Sequence, residues 1–180
     1  YDLIVLHQLP SVKHPVASFL QRAAQLGVPI TYVLGGAVDL NALNALGAGV
    51  KVSGWRAATT DALGTVNKEL NLFTLEQEQT RAIERFPPLQ VPFGIYEAQR
   101  GTSVIIKQRV GAIRTDQPLV AVSQQGERRV AIIAGEGLWR WRLADHQQNG
   151  THRNFDLLVH KLVQYTALKL DRNRFRVEHA

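Results

Sequence analysis

Three short runs in this 180-residue chain carry side chains suited to chemistry: His7-Gln8, Gly35-Gly36 and Gly135-Glu136-Gly137. Each follows an apolar run of strand length. In an open α/β sheet, ligands settle outside the carboxyl ends of the strands. If the three strands are neighbours, an imidazole, a carboxylate and glycine-exposed backbone amides converge. His7, Gly35, Gly36 and Glu136 are then expected to line one pocket. An imidazole and a carboxylate within reach of one substrate atom would permit general acid–base work, such as hydrolysis of a small or carbohydrate substrate. The plainer account of the glycines is that they turn the chain where positive φ is required.

A second feature overlaps the third run. GEGLWRWRL, Gly135 to Leu143, alternates two of the three tryptophans with two arginines. Read as an extended chain, it places Trp139, Trp141 and Leu143 on one face and Arg140 and Arg142 on the other. The indoles would seal the sheet end, their N–H groups finding carbonyl partners. Alternatively, Trp139, Arg140, Trp141 and Arg142 form a contact surface, since Trp and Arg favour interfaces with carbohydrates, anions and proteins.

Other chemistries lack their parts. There is no G-x-S-x-G elbow, no G-x-x-x-x-G-K-[ST] loop and no G-x-G-x-x-G fingerprint. With no cysteine, disulfides, thiolate nucleophiles and Cys-containing metal sites are excluded together. His146 and His152 lie six positions apart beside Asp145, a weak metal pattern, and His160 reads as a surface histidine on a helix. No metal, cofactor or catalytic residue is assigned.

The elements that must position these residues are legible in part. DLIVLH reads as a strand buried on both faces, and HPVASFLQRAAQLG as a helix with Val16, Phe19, Leu20, Ala23 and Ala24 in period and Gly27 as its stop. PITYVLGG is a second buried strand and DLNALNALG a short helix ended by Gly47. The alternation predicts a βαβ unit with a parallel sheet. VKVSGWRA fits a strand, and a helix from about Leu75 to Phe86 is capped by Thr74 and stopped by Pro87 and Pro88. FGIYEAQ, TSVIIKQRVG and PLVAVSQQ read as hairpin-like strands, followed by the strong strand GERRVAIIAGEG. FDLLVHKLVQYTALKL is a helix with Phe155, Leu158, Val159, Leu162 and Thr166 on one face, and RFRV a final strand. The pattern describes one α/β domain over 1–180 with a mixed sheet.

Composition bounds the partners. Apolar residues make up 45% and charged residues 20%, an ordinary globular balance. No apolar run approaches the ~20 residues that span a bilayer. With no methionine, and strand-like runs at both ends, the chain is expected to be a domain of a larger protein whose targeting and membrane segments lie elsewhere. The formal charge is +6, with basic residues interleaved with acids, so nucleic acid is not an expected partner.

With these residues in hand, the order of DLIVLHQLP, ITYVLGG, FPPLQVPFG, AIIAGEGLWRWRL and FDLLVHKLVQYTALK resembles the glutamine amidotransferase-like domains of large bacterial membrane proteins. Some of these come from the Bacteroidetes, and related ones carry von Willebrand A-type domains. The resemblance implies a flavodoxin-like fold: an open, mostly parallel sheet flanked by helices, with some antiparallel hairpin strands. It also implies membrane tethering through flanking segments and a periplasmic, extracytoplasmic position. Class I amidotransferases use a cysteine on an elbow after a central strand and a later His-Pro-Glu motif. Here the corresponding runs read Val33-Leu34-Gly35-Gly36 and Gly135-Glu136-Gly137. Without the nucleophile the covalent intermediate is lost. The expectation is a non-catalytic binding or assembly module, its partners other domains of the same chain or complex, or a small-molecule or glycan ligand. The alternative is a hydrolase with His7 and Glu136 as acid and base.

Overall fold

The computed structural model describes residues 2–69, 72, 74–126 and 128–167. The expected strand RFRV lies outside them. In chain order the elements are β1 (Ile4–His7), α1 (Ala17–Gln25), β2 (Ile30–Val33), α2 (Leu40–Ala45), β3 (Val50–Ser53), β4 (Thr59–Val66) and α3 (Gln77–Arg85). Then come β5 (Leu89–Pro92), β6 (Ile95–Ala98), β7 (Thr102–Val110), β8 (Ile113–Gln125), β9 (Arg128–Ile133), α4 (Leu138–Asn149) and α5 (Arg153–Ala167).

Seven strands form one sheet in the order β1-β2-β9-β8-β7-β4-β5, and β3 pairs with β6 in a separate ribbon. Only β1·β2 and β2·β9 run parallel among the described residues; the other five pairings are antiparallel. The flavodoxin-like, mostly parallel sheet expected from the resemblance is therefore not what forms. The reason lies in the connections. Parallel neighbours need a crossover of about a dozen residues or more, usually helical. From β7 through β9 the links are short, such as the Gly111-Ala112 turn that returns β7 into β8. These two hairpins make β7, β8 and β9 antiparallel; β4 then joins β7, and β5 joins β4, also antiparallel, although α3 lies between β4 and β5 in the chain.

Position in the sheet sets burial. β9 is central, and Val130, Ala131, Ile132 and Ile133 are all buried. β1 is an edge strand, so of its four residues only Leu6 is buried and Val5 stays exposed, against the expectation of burial on both faces. Strand β2 lies between β1 and β9, with Ile30 and Tyr32 fully buried. Helix α5 packs on β9 and α3, and α3 packs on β4.

Local chemistry explains the helix limits. Asp39 caps α2 by accepting from the backbone N–H groups of Asn41 and Ala42. Helix α3 starts from Glu76 rather than Thr74. Glu76 N–H donates to Gln79 Oε1 at 3.2 Å, half of a capping box that fixes the first turn. The carbonyl of Thr74 accepts from Lys161 Nζ on α5 instead. Helix α1 buries Leu20 and Ala23 but leaves Phe19 half exposed.

Candidate functional site

The parallel third of the sheet brings the three runs together, because β1, β2 and β9 are consecutive neighbours. Their ladders continue past the last paired residues: Gln8 N–H donates to Val33 O at 2.8 Å, and Leu34 N–H to Ile133 O at 2.9 Å. Gln8 then turns the chain with φ at +55°, a left-handed conformation that costs a non-glycine residue about 1–2 kcal/mol. Its amide acts as a clamp. Nε2 donates to Glu136 Oε2 at 2.5 Å, and Oε1 accepts from Ala37 N–H at 3.0 Å.

Gly35 is required beneath this clamp. A Cβ there would lie 2.7 Å from Gln8 Cδ and 2.8 Å from Glu136 Oε2. Gly135 is required for a similar reason, since its Cβ would meet Gln90 O, Leu89 Cβ and Val91 Cγ2, each at 3.0 Å. Close approach of the backbone is completed by Gln90 and Glu136, which exchange both N–H···O bonds at 3.0 Å. Glu136 thereby sits on a tight passage from β9 into α4, flanked by two glycines. This is the kind of strand-to-helix turn on which hydrolases expose a nucleophile. The longer passage from β2 to α2, through Gly35 and Gly36, is looser.

His7 Nε2 stands 3.8 Å from Glu136 Oε2, with the histidine side chain 62% exposed and the glutamate 30%. Both face an open cleft of about 550 Å³, lined also by Gln90, Gly137, Trp139 and Arg140. Gly36 is exposed and sits at the margin near Thr59, outside the cleft lining. Of the expected pocket residues, then, His7 and Glu136 line the cleft, Gly35 supports it, and Gly36 stands beside it.

The WRWR run is not extended. It is the first turn of α4, so successive side chains point about 100° apart and the two-faced alternation does not arise. Trp141 enters the core fully buried, its indole N–H donating to Pro87 O at 2.7 Å and its ring 5.4 Å from that of Phe86. Trp139 and Arg140 turn to the cleft. Arg142 points elsewhere, with Nε 3.4 Å from Asp156 Oδ1. Gly137 starts the helix at φ +106°, and the space where its Cβ would stand is taken by the Arg140 guanidinium.

Asp145 anchors α4 to α5. It is fully buried and accepts from Asn149 Nδ2, Asn154 Nδ2 and Phe155 N–H at 2.8–3.0 Å. Burial works to raise its pKa, but these hydrogen bonds to the charged form outweigh it and hold the carboxyl below its ordinary value. The rings of His146 and His152 stack with centroids 4.9 Å apart, and His152 Nδ1 lies 2.9 Å from Arg142 O. Asp145 faces away into its amide cage. Among the described residues, no group of three His, Cys, Asp or Glu side chains is placed to hold a metal ion.

Sequence reasoning missed Gln90 and the clamp made by Gln8. Gln90 comes to the site from β5, a strand with no expectation attached to it, through pairing with the Glu136 backbone. No local signal marks it.

No family model and no curated protein matches this chain. Among solved structures, a β-galactosidase from Rahnella sp. R3 aligns with a TM-score of 0.50 at 15% identity, over 91% of this chain and 23% of that one. A cytoplasmic protein of Salmonella typhimurium aligns with a TM-score of 0.52 at 12% identity, over 92% of this chain and 72% of that one. The chain thus spans about a quarter of the galactosidase it resembles. At these identities the likeness concerns the fold alone.

Proposed function

We propose that this domain is a non-catalytic binding or assembly module, akin in role to the glutamine amidotransferase-like domains its sequence resembles but without their nucleophile and without their mostly parallel sheet. On this reading it belongs to a membrane-anchored bacterial protein and works outside the cytoplasm. On the resemblance the anchor would lie in flanking segments; no described helix is long and apolar enough to cross a membrane. The observation that carries the proposal is what stands at two strand ends: Gly35-Gly36 after β2, where the resemblance puts the cysteine, and Glu136 after β9, where it puts His-Pro-Glu. One oxygen of Glu136 is already engaged by Gln8, and among the described residues no hydroxyl or thiol lines the cleft around it. Covalent catalysis of the amidotransferase kind has no group to begin it. A cleft with an indole, a guanidinium, an imidazole and amides remains well equipped to hold a polar ligand.

The 3.8 Å approach of His7 to Glu136 favours one competing reading, a hydrolase using the two as acid and base. Turnover of glutamine and of nitrophenyl glycosides by the purified domain, set beside ligand titrations followed by NMR, separates them. Binding at the cleft without turnover is expected. Turnover that disappears in His7→Gln and Glu136→Gln would establish the hydrolase instead.

A further inference from the structure

The cleft beside Glu136 carries enough chemistry to name its ligand class, an inference that rests on the binding reading above. Trp139 presents its indole 66% exposed while lining the cleft. An aromatic plane left in water at a concave site is suited to a ligand with an apolar ring face. Arg140 lines the same cleft, and among the described residues its guanidinium has no hydrogen bond, ion pair or ring partner. The missing Cβ of Gly137 gives that guanidinium its seat, so its position is built into the backbone. The Gln90 side chain is likewise without a partner among the described residues, and Glu136 and His7 add an acceptor and a second polar group.

A free guanidinium calls for a carboxylate or phosphate oxygen. The Glu136 carboxylate on the same cleft disfavours a ligand with several negative charges, because like charges repel most where water is partly excluded. The amide, imidazole and carboxylate suit hydroxyl groups, which both donate and accept. We infer that the cleft binds an acidic saccharide, a pyranose ring carrying one carboxylate. The ring face stacks on Trp139, its carboxylate pairs with Arg140, and its hydroxyls bond to Gln90, Glu136 and His7. At about 550 Å³ the cleft falls within the usual ~300–1,000 Å³ of small-ligand sites.

Isothermal titration calorimetry with galacturonate and trigalacturonate, against galactose, acetate and galactose 6-phosphate, tests this directly. Galacturonate is expected to bind at least about ten-fold more tightly than galactose or acetate, a difference of about 1.4 kcal/mol. Arg140→Gln should reduce galacturonate to the level of galactose, and Trp139→Ala should weaken both sugars. Both variants should melt as wild type does, because neither side chain is in the core. Equal affinity for galactose and galacturonate, or no effect of Arg140→Gln, overturns the inference, as does an absence of binding by every probe. Tighter binding of galactose, acetate or the phosphate at the cleft sinks the acidic sugar but leaves the binding module standing. Hydrolysis of a galacturonide does the reverse.

Discussion

Gln8 and Glu136 stand 128 positions apart in the chain and share a hydrogen bond of 2.5 Å across the ends of β1 and β9. Gln8 holds this bond from a left-handed backbone at φ +55°. Strained backbone of this kind persists where the surroundings over-determine it, and it clusters at binding and active sites.

Substitutions at two positions measure how much the clamp matters. Gly35→Ala would drive a methyl group into Gln8 and Glu136, and is expected to cost about 1–3 kcal/mol. At roughly 2–4 °C per kcal/mol for a chain of this size, calorimetry would register the drop. Gln8→Ala loses the clamp and keeps the backbone strain, whereas Gln8→Gly loses the clamp and relieves the strain. The glycine variant should therefore be the more stable by about 1 kcal/mol. An alanine variant equal to or better than glycine would show that the φ at Gln8 is not a cost.

The two tryptophans of α4 should answer to different tests. Trp141→Ala removes a fully buried ring and a hydrogen bond to Pro87, for a loss of about 3–5 kcal/mol. Trp139→Ala should change stability by no more than about 0.5 kcal/mol, as exposed positions do. Iodide quenching offers an independent reading: Trp139 emission should be quenched and Trp141 emission protected. Equal destabilisation by the two substitutions would mean that the run is a seal throughout.

Asp145 links folding to pH. Its folded pKa lies below the unfolded value near 3.8, so its stabilisation is full above that value and is lost as pH falls through the folded pKa. Urea unfolding at pH 7 should show Asp145→Ala weaker than wild type by about 2–3 kcal/mol, because three amide donors lose a charged partner in the interior. Asp145→Asn keeps the shape but turns one oxygen into a donor facing donors, and should also weaken the fold at pH 7. At pH 2 the gap between wild type and Asp145→Asn should narrow. A gap that is unchanged by acid would place the stabilising charge elsewhere.

The chain by itself determined the local elements with strong periods or punctuation. β2 and β9 announced themselves as apolar runs, α5 by its helical spacing and α3 by the paired prolines after Phe86. It also put His7 and Glu136 at the ends of apolar strands, which the neighbouring β1, β2 and β9 carry to one cleft. What it could not determine was pairing partner and direction. Hydrophobic runs of strand length look alike whether they run parallel or antiparallel, and the short links from β7 to β9 made antiparallel neighbours only once the strands had met, while β4 and β5 found theirs through the tertiary fold. Whether a run is an edge or a centre is also a tertiary fact, which is why β1 lies half open while β9 is enclosed. The WRWR run shows the limit most clearly. Alternating Trp and Arg has the period of a strand, yet the two flanking glycines let the chain turn at Glu136 straight into α4. Helical rotation then sent Trp141 into the core against Phe86 and turned Trp139 and Arg140 to the cleft. Gln90 reached Glu136 only through backbone pairing in three dimensions, and no spacing in the sequence could have brought them together.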